Sequence, residues 1–328
     1  MKKNSSDTEG LHCAFQLNEK GGGKLLRWDG VQAGFKKKSL LWVHLDRTSP
    51  KAQEWLLNES GLDEVVCEAL LAEETRPRFS RFRSVSLLNL REMNHYPELT
   101  SEELISIRMS IQKNRIISLT RYPLKSVEDL SVDLQKGEGP NNIGELVVFL
   151  AKHMTDTMYQ PIYEIGEVID EMEDTWEERN LSNPLEALSM TRLSIIAYHR
   201  YLLPQTMVLR EMHTLNLSWL ESEEKLSLRE VSDSSQVLLD ILAESRERIW
   251  VLRDEHQNRL AARMNRTIYI LTVLSALLLP LSVIAGLLGI NVDGIPGADH
   301  PMAFSFVAGG LVVFLLLEIL LLRLNKWL

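Results

Sequence analysis

Cysteine is scarce in this chain of 328 residues, which contains only Cys13 and Cys67. Two cysteines cannot form a disulfide framework or a four-cysteine zinc site. Positive charge is also in the minority, because 36 lysines and arginines face 45 acidic residues and the formal net charge is −9. A nucleic-acid-binding protein usually presents a basic face, so this composition argues against that function. Glycine and proline number only 17 and 11, which excludes collagen-like and low-complexity chains.

Motifs of two common catalytic classes are missing as well. The sequence has no Walker-type phosphate loop, which argues against ATP-driven pumping, and no Ser-His-Asp triad motif. We therefore expect neither an enzyme nor a bound cofactor. The first residues, Met-Lys-Lys-Asn-Ser-Ser, are followed by no apolar run, so we do not expect a signal peptide there.

Long hydrophobic runs are present near the C-terminus. Residues 268–288 contain no charged side chain, and residues 302–322 contain one, Glu318. Each run has 21 residues, and about 20 apolar residues cross a bilayer as a helix. Residues 266–328 carry no net charge, so the whole charge of −9 belongs to residues 1–265. The sequence therefore predicts an acidic, water-soluble body followed by two transmembrane helices.

The flanking charges predict how these two helices are oriented. Arg263 and Arg266 precede the first, Arg323 and Lys326 follow the second, and the loop between them has no lysine or arginine. By the positive-inside rule both termini are cytoplasmic, with an external loop at 292–301 and a basic cytosolic tail at 323–328. A hairpin that only anchors a cytosolic domain is the simplest interpretation. Two helices cannot enclose a pore, so transport would require several copies around an axis.

The first 140 residues alternate between strand and helix patterns. Strands are predicted over residues 85–90, 104–111 and 115–120, with a short hairpin connection at Lys113-Asn114. The second strand has an apolar residue at every other position, which predicts that four side chains share one face of a sheet: Ile105, Ile107, Met109 and Ile111. We expect residues 1–140 to form a cytosolic α/β or α+β domain.

Residues 141–226 are predicted to form a long acidic helical hairpin. A capping-box variant at Asn142–Glu145 predicts a helix that runs to about residue 179. The pair Asn183-Pro184 predicts the start of a second helix, because proline is favoured at the first helical position.

A third helix is predicted to run from the body into the membrane. Ser227 and Glu230 form a capping box, and no glycine or proline interrupts the chain from Ser227 to Pro280. A stalk helix over residues 227–267 is therefore expected to continue without a break as the first transmembrane helix, residues 268–291.

Small and hydroxyl-bearing residues recur along one side of this helix, which we call the seam. Alternating steps of three and four residues connect Ile268, Thr272, Ser275, Leu279, Ser282, Gly286 and Gly289, and the same steps backwards connect Asn265, Ala261, Asn258, Asp254 and Val251. Such a heptad spacing indicates a helix that faces partner helices along its length. Close dimer packing is one explanation, and a ring around a water-filled axis is the other. The polar side chains before Ile268, namely Asn265, Asn258 and Asp254, favour the ring.

The first transmembrane helix ends in Gly289-Ile290-Asn291. In a ring, the neutral side chains of Asn291 would meet at the outer mouth and could hold a divalent ion that keeps its hydration shell. This tripeptide is therefore the candidate ion entrance, although Gly-x-Asn is also an ordinary helix C-cap.

Acidic residues form two further candidates. Glu167, Glu171 and Asp174 lie on one helical face with Glu178, and with Asp254 of the stalk they could concentrate cations by their charge, or simply be a solvated surface. Glu318 within the second transmembrane helix either extends towards the inner interface or carries protons in a coupled transporter. The sequence shows no catalytic constellation, and which residues ligate a metal stays unknown.

Several of these motifs together resemble the CorA superfamily of metal-ion transporters. The Gly-Ile-Asn motif at 289–291 and the long stalk carry the general resemblance. Three further segments resemble the ZntB zinc-transporter branch: Glu-Thr-Arg-Pro-Arg-Phe-Ser-Arg at 74–81, Gly-Leu-Leu-Gly-Ile-Asn-Val-Asp-Gly-Ile-Pro-Gly at 286–297 and Lys-Trp-Leu at 326–328. Magnesium-transporting members typically carry Gly-Met-Asn instead.

The resemblance implies a funnel-shaped homopentamer in the bacterial inner membrane. The first transmembrane helices would form an inner pore-lining ring, with the second helices outside. It places Gly289 and Asn291 at the outer entrance, with Asn265 and Asp254 near the cytosolic mouth. The positions that it places along the pore are Gly286, Ser282, Leu279, Ser275 and Ile268.

The resemblance also implies which ion is transported and what drives the transport. The ZntB branch implies zinc, and proton-linked uptake is the favoured mechanism. Zinc efflux and a magnesium- or cobalt-type channel remain alternatives, and a membrane-tethered metal-sensing protein is the alternative of another class.

Overall fold

The computed structural model describes residues 9–37, 39–73, 76–98, 104–178, 184–290, 297, 300–325 and 327. The chain divides into two units, one that reaches to Trp250 and one that begins at Val251. We call them the N-terminal unit and the C-terminal unit.

The N-terminal unit is built on one mixed sheet, which within the described residues has seven strands. The strands lie in the order β2-β1-β3-β7-β6-β5-β4. Only β3 and β7, at the centre, are parallel, and the other neighbours are antiparallel. The bounds are β1 Leu11–Leu17, β2 Gly23–Leu25, β3 Leu41–Asp46, β4 Arg78–Phe82, β5 Val85–Met93, β6 Leu104–Gln112 and β7 Arg115–Thr120. The predicted hairpin at residues 113–114 is confirmed, because Gln112 pairs with Arg115.

Helices cover both faces of this sheet. On one face lie α1 (Trp28–Lys37), α2 (Pro50–Asn58) and α3 (Glu64–Leu71). On the other lie α4 (Lys125–Lys136), α5 (Ile143–Glu178), α6 (Pro184–Thr214) and the first part of α7 (Ser222–Leu288). The unit is therefore a three-layer α/β sandwich with a hydrophobic core on each side of the sheet.

The second core confirms the alternation predicted for β6. Ile105, Ile107, Met109 and Ile111 are all buried in the core beneath α4 and α5, whereas Ile117 and Leu119 of β7 belong to the opposite core. This core crosses the predicted domain limit at residue 140, because the apolar faces of the long helices bury against the sheet. The helices are thus part of the same compact unit.

Local capping explains where the long helices begin. The side chain of Asn142 accepts a hydrogen bond from the backbone N–H of Glu145 at 2.8 Å, which confirms the predicted capping box of α5. The predicted start at Pro184 is also confirmed for α6.

The predicted start of α7 at Ser227 is wrong, since the helix begins at Ser222. The carboxylate of Glu224 accepts the backbone N–H of Glu221 at 3.0 Å and so satisfies a donor at an earlier turn. The Ser227 hydroxyl instead donates to the carbonyl of Glu223 inside the helix at 3.3 Å. The predicted continuity is confirmed, because α7 continues without interruption to Leu288, whereas residues 289 and 290 of the predicted segment 268–291 lie beyond the helix.

Candidate pore helix

Two helices of the described residues are long and apolar enough to cross a membrane, α7 and α8 (Ala303–Leu324). In the C-terminal unit they form an antiparallel pair, because the Tyr269 hydroxyl near the start of the apolar part of α7 donates to the carbonyl of Trp327 just beyond α8. No residue in either apolar window is buried within the protomer. Such surfaces need lipid or other protein to cover them.

Each helix has one half-buried stripe, and the two stripes match. On α7 the stripe consists of Val273, Leu277, Pro280, Leu281 and Ile284. On α8 it consists of Ala308, Leu311, Leu315, Glu318, Ile319 and Leu322. Both follow the three- and four-residue spacing of one helical face, so we infer that α7 and α8 contact each other along them. This contact face was not predicted from the sequence, although bulky residues at that spacing were a signal for it.

The seam lies on the face of α7 opposite to this contact. At 3.6 residues per turn, the mean direction of the seam from Thr272 to Gly286 is about 180° from the mean direction of the half-buried stripe. Its members are exposed in the protomer, Ile268 by 50% and Leu279 by 67%. The Thr272 hydroxyl donates to the Ile268 carbonyl at 2.8 Å, which satisfies this polar group within the helix. The face that carries small and hydroxyl residues is therefore available to neighbouring copies or to water.

The seam remains exposed below the apolar part of the helix. Val251, Asp254, Asn258, Ala261 and Asn265 are all exposed. The amide of Asn258 donates to the carboxylate of Asp254 at 3.2 Å, so these two polar side chains form a pair along the seam. The polar groups that the sequence predicts for the cytosolic end thus share one helix face with the predicted pore residues.

The outer end of the seam is formed by glycines. A Cβ atom at Gly286 would meet no atom within 4 Å, so the protomer itself does not require glycine there. The helix ends at Leu288, and the N–H of the next residue, Gly289, donates to the carbonyls of Ala285 at 3.0 Å and Gly286 at 3.2 Å. Ile290 is exposed, and Asn291 lies outside the described residues. The role of this tripeptide as an ion entrance stays a prediction.

The predicted acidic face of α5 is on the surface. Glu167, Glu171 and Asp174 are exposed, and the side chain of Glu178 lies outside the described residues. No cluster of three potential metal-ligating side chains occurs in the part of the chain that the structure describes. Cation attraction by the summed charge of these carboxylates stays a prediction.

Two other acids of α5, Asp170 and Glu173, have a structural role that was not predicted from the sequence. Arg248 of α7 donates from Nε to Glu173 at 2.9 Å and from an Nη atom at 2.6 Å, and the same Nη donates to Asp170. These contacts raise the pKa of Arg248. They connect α5 to α7 at the end of the N-terminal unit.

Glu318 lies on the half-buried stripe of α8 rather than on its lipid-exposed side. Its Oε2 atom is buried and has no hydrogen-bond partner among the described residues. Extension of Glu318 towards the inner interface would favour an ion pair with Arg323. No such ion pair occurs among the described residues. Burial of a polar atom without a hydrogen bond is costly, and the proton-carrying role of Glu318 stays a prediction.

Comparison with known proteins decides the family. The family described as "CorA-like Mg2+ transporter protein" matches residues 37–324. The chain belongs to the CorA family. Among curated CorA relatives, the "Divalent cation transporter CmaX" of Pseudomonas aeruginosa is 36% identical over 94% of this chain and 95% of its own length. The "Zinc transport protein ZntB" of Yersinia pseudotuberculosis is 31% identical over 96% of this chain and 95% of its own length, which supports a ZntB-like branch.

Solved CorA-family structures have the same fold. The full-length CmaX protein superposes with a TM-score of 0.83 at 35% identity, and covers 98% of this chain and 100% of that one. The CorA magnesium transporter of Methanocaldococcus jannaschii, at 17% identity, superposes with a TM-score of 0.78 over 96% of this chain and 98% of that one. Both superpositions cover nearly the whole chain, so the shared fold is not limited to the N-terminal unit.

Proposed function

We propose that this CorA-family protein is a homopentameric transporter of divalent cations, with zinc as its main ion. It lies in the bacterial inner membrane with both termini in the cytoplasm. Copies of α7 surround the axis, and copies of α8 lie outside them. No enzymatic activity is required for this function, and the ion is the cargo rather than a cofactor.

The observation that carries this proposal is the position of the seam. α8 contacts one face of α7, while the small and hydroxyl residues occupy the opposite face and stay exposed. An assembly that buries the seam against neighbours or around water leaves α8 on the outside without any rearrangement of the protomer. The uninterrupted course of α7 in this chain supports this arrangement.

The chemistry of the seam suits a hydrated cation. Between Ile268 and Gly289 it presents hydroxyl groups and backbone at small residues and no charged side chain. Neutral oxygen atoms can hold a hydrated divalent ion without binding it so tightly that it cannot leave. Asp254 and Asn258, which are hydrogen bonded to each other, supply polar groups at the cytosolic end.

Zinc is favoured over magnesium by the relatives. The ZntB proteins are named as zinc transport proteins and CmaX as a divalent cation transporter. The family description names Mg2+, so a magnesium- or cobalt-type channel remains the alternative. Flux of zinc, cobalt and magnesium into proteoliposomes at equal free concentration tests the choice. Zinc flux that is slower than magnesium flux would contradict it.

Glu318 is the residue that we propose for proton linkage, with zinc uptake as the direction and efflux as the alternative. One of its carboxyl oxygens is buried, has no hydrogen-bond partner in the part of the chain that the structure describes, and lies on the contact face with α7. Protonation and deprotonation there would alter the contact between the two helices. Zinc flux should be measured under pH gradients of both signs. We expect flux to follow the gradient in the parent protein and to lose this dependence in Glu318→Gln, whereas gradient-dependent flux in the variant would contradict the role of Glu318.

The seam itself is tested by one substitution and two controls. Ser282→Leu places a large apolar side chain on the seam and should block conduction. Ser305→Leu makes the same change on an exposed position of α8, and Val283→Leu adds bulk on α7 beside the seam. Both controls should retain flux. Equal loss in all three variants would contradict the proposed orientation of α7.

The rival function, a membrane-tethered metal sensor, predicts a different assembly. A sensor needs its two helices only as an anchor, whereas transport needs a closed ring. The oligomeric state in detergent separates the two. A pentamer supports transport, and a monomer or dimer contradicts it.

A further inference from the structure

A cavity of about 700 Å³ in the N-terminal unit is lined by a concentration of positive charge. It lies beside β5, β6, the end of α3 and the middle of α6, far in sequence from the transmembrane helices. The arginines that line it are Arg47, Arg76, Arg91, Arg108, Arg121 and Arg200. Glu73 is the one acidic residue among the described residues that line it, so the formal charge of the lining is +5. This is unexpected in a chain whose net charge is −9.

Arg108 is buried at the base of this group. Only 2% of its surface is exposed. Its two Nη atoms donate to the carbonyls of Leu70 at 2.9 Å and Glu73 at 3.0 Å, and its Nε has no hydrogen-bond partner among the described residues. Burial, together with the neighbouring charges of Arg47, Arg91 and Arg78, lowers the pKa of Arg108 to about 10. The guanidinium is thus surrounded by like charge and by neutral carbonyls.

Neutral groups also orient two of the other arginines. Arg47 donates to the carbonyls of Leu71 and Ala72 at 3.3 and 3.4 Å. Arg91 donates to the carbonyl of Leu104 at 2.7 Å, and its guanidinium lies 4.1 Å from the ring centroid of Tyr201. These contacts hold the two guanidinium groups in place, and neither the carbonyls nor the ring carries a net charge.

Hydrogen bonds from Gln205 also join β5 and α6, which form two walls of the cavity. The side chain of Gln205 on α6 accepts the backbone N–H of Arg91 at 2.8 Å and donates to its carbonyl at 3.2 Å. This pair fixes α6, which carries Arg200, against β5, which carries Arg91. Arg47, Arg91 and Arg108 are therefore held in position by contacts within the fold.

We propose that this cavity binds a soluble organic polyphosphate, such as a nucleoside triphosphate, independently of ion transport. Guanidinium groups match phosphate oxygens with paired, charge-assisted hydrogen bonds. A net lining charge of +5 exceeds what a single phosphate group neutralises, and the volume falls in the range of drug-sized ligands. The absence of a Walker-type loop agrees with binding through side chains, without hydrolysis. The Arg-Pro-Arg part of the motif at 74–81 contributes Arg76 to this lining.

Calorimetry on the full-length protein in detergent tests the proposal. The probes are ATP, inorganic tripolyphosphate and inorganic orthophosphate, titrated with EDTA present so that metal binding does not contribute. We expect ATP and tripolyphosphate to bind at one site per protomer, at least 10-fold more tightly than orthophosphate. Orthophosphate binding of equal strength, or no binding of the two polyphosphates, would overturn the proposal.

Variants assign the binding to the cavity. Arg121 and Arg200 are exposed, so Arg121→Gln and Arg200→Gln should leave the fold intact. Each should weaken ATP binding by about 10-fold or more, as expected when a charge-assisted hydrogen bond is lost. Arg210→Gln is the control, because Arg210 lies on the same helix α6, is exposed, and bonds to Gln236 instead. Equal weakening by the control, or no effect of the two cavity variants, would show that the phosphates bind elsewhere and refute the assignment.

Discussion

The buried carboxyl group of Glu92 makes a quantitative prediction about how stability depends on pH. Glu92 on β5 is fully buried, and its Oε1 accepts the backbone N–H of Ser126 at 3.0 Å while its Oε2 accepts the Ser126 hydroxyl at 2.5 Å. It thereby caps α4, whose N-cap residue Leu124 has no side-chain acceptor. Burial raises the pKa of Glu92 from 4.5 to about 7, although the bonds from Ser126 oppose the rise.

The sign and size of the effect follow from this shift. The folded state holds the proton more tightly than the unfolded state, so the contribution of Glu92 is fully present below its unfolded pKa and is lost as pH rises through the folded value. A rise from 4.5 to about 7 corresponds to ~3.4 kcal/mol. About 2.5 kcal/mol of this is lost between pH 5 and pH 8, a factor of roughly 70 in the unfolding equilibrium.

Hydrogen exchange of the buried β6 amides in the full-length protein measures this change. The ratio of the exchange rate of the parent to that of Glu92→Gln at each pH cancels the intrinsic pH dependence of exchange. We expect this ratio to rise by roughly 70-fold from pH 5 to pH 8. Glu68→Gln, an exposed position on α3, serves as the control and should give a constant ratio. A constant or falling ratio for Glu92→Gln would show that the buried carboxyl does not retain its proton in the folded state.

Three further predictions concern the ion pathway and the α5–α7 contact. Asn291→Ala should abolish or severely reduce zinc flux while gel filtration shows an intact oligomer, and normal flux would remove Asn291 from the pathway. Arg248→Met should lower the free energy of unfolding by about 1 kcal/mol, because the ion pairs that it removes are partly exposed. The loss should be smaller at high salt. An unchanged melting temperature would show that these ion pairs contribute nothing. Neutralising Glu167, Glu171 and Asp174 together should weaken zinc binding to the full-length protein, and the loss should shrink as salt shortens the Debye length below about 8 Å. A loss that is independent of salt would indicate direct ligation instead.

Local sequence patterns were sufficient for the elements whose form depends on neighbouring residues. The hairpin at residues 113–114, the capping box at Asn142 and the alternation along β6 were all correctly predicted, because turn geometry, capping and side-chain period act over a few residues. The uninterrupted course of α7 to Leu288 was predictable for the same reason, since no helix-breaking residue occurs before Pro280.

The start of α7 shows the limit of such patterns. Ser227 and Glu230 fit a capping box as well as any pair in the chain, yet the helix begins five residues earlier at Ser222. More than one capping motif is available at this end of the helix. The carboxylate of Glu224 accepts a hydrogen bond from the backbone N–H of Glu221, and it also accepts one from the side-chain amide of Asn142 at 2.9 Å. Together these two bonds favour the earlier start. That second contact joins α7 to the start of α5, which lies about 80 residues away in the sequence.

The sequence by itself determined the two apolar helices, the long stalk and the spacing of the seam, because composition and helical period are properties of a continuous stretch of chain. Only the tertiary structure decided which face of α7 meets α8, that Glu318 lies on the contact face, and that Glu92 caps α4. It also brought together arginines from positions 47 to 200 around one cavity. Those features depend on residues that are distant in sequence and become neighbours when several elements bury their apolar faces on the same sheet, so no local pattern contains them.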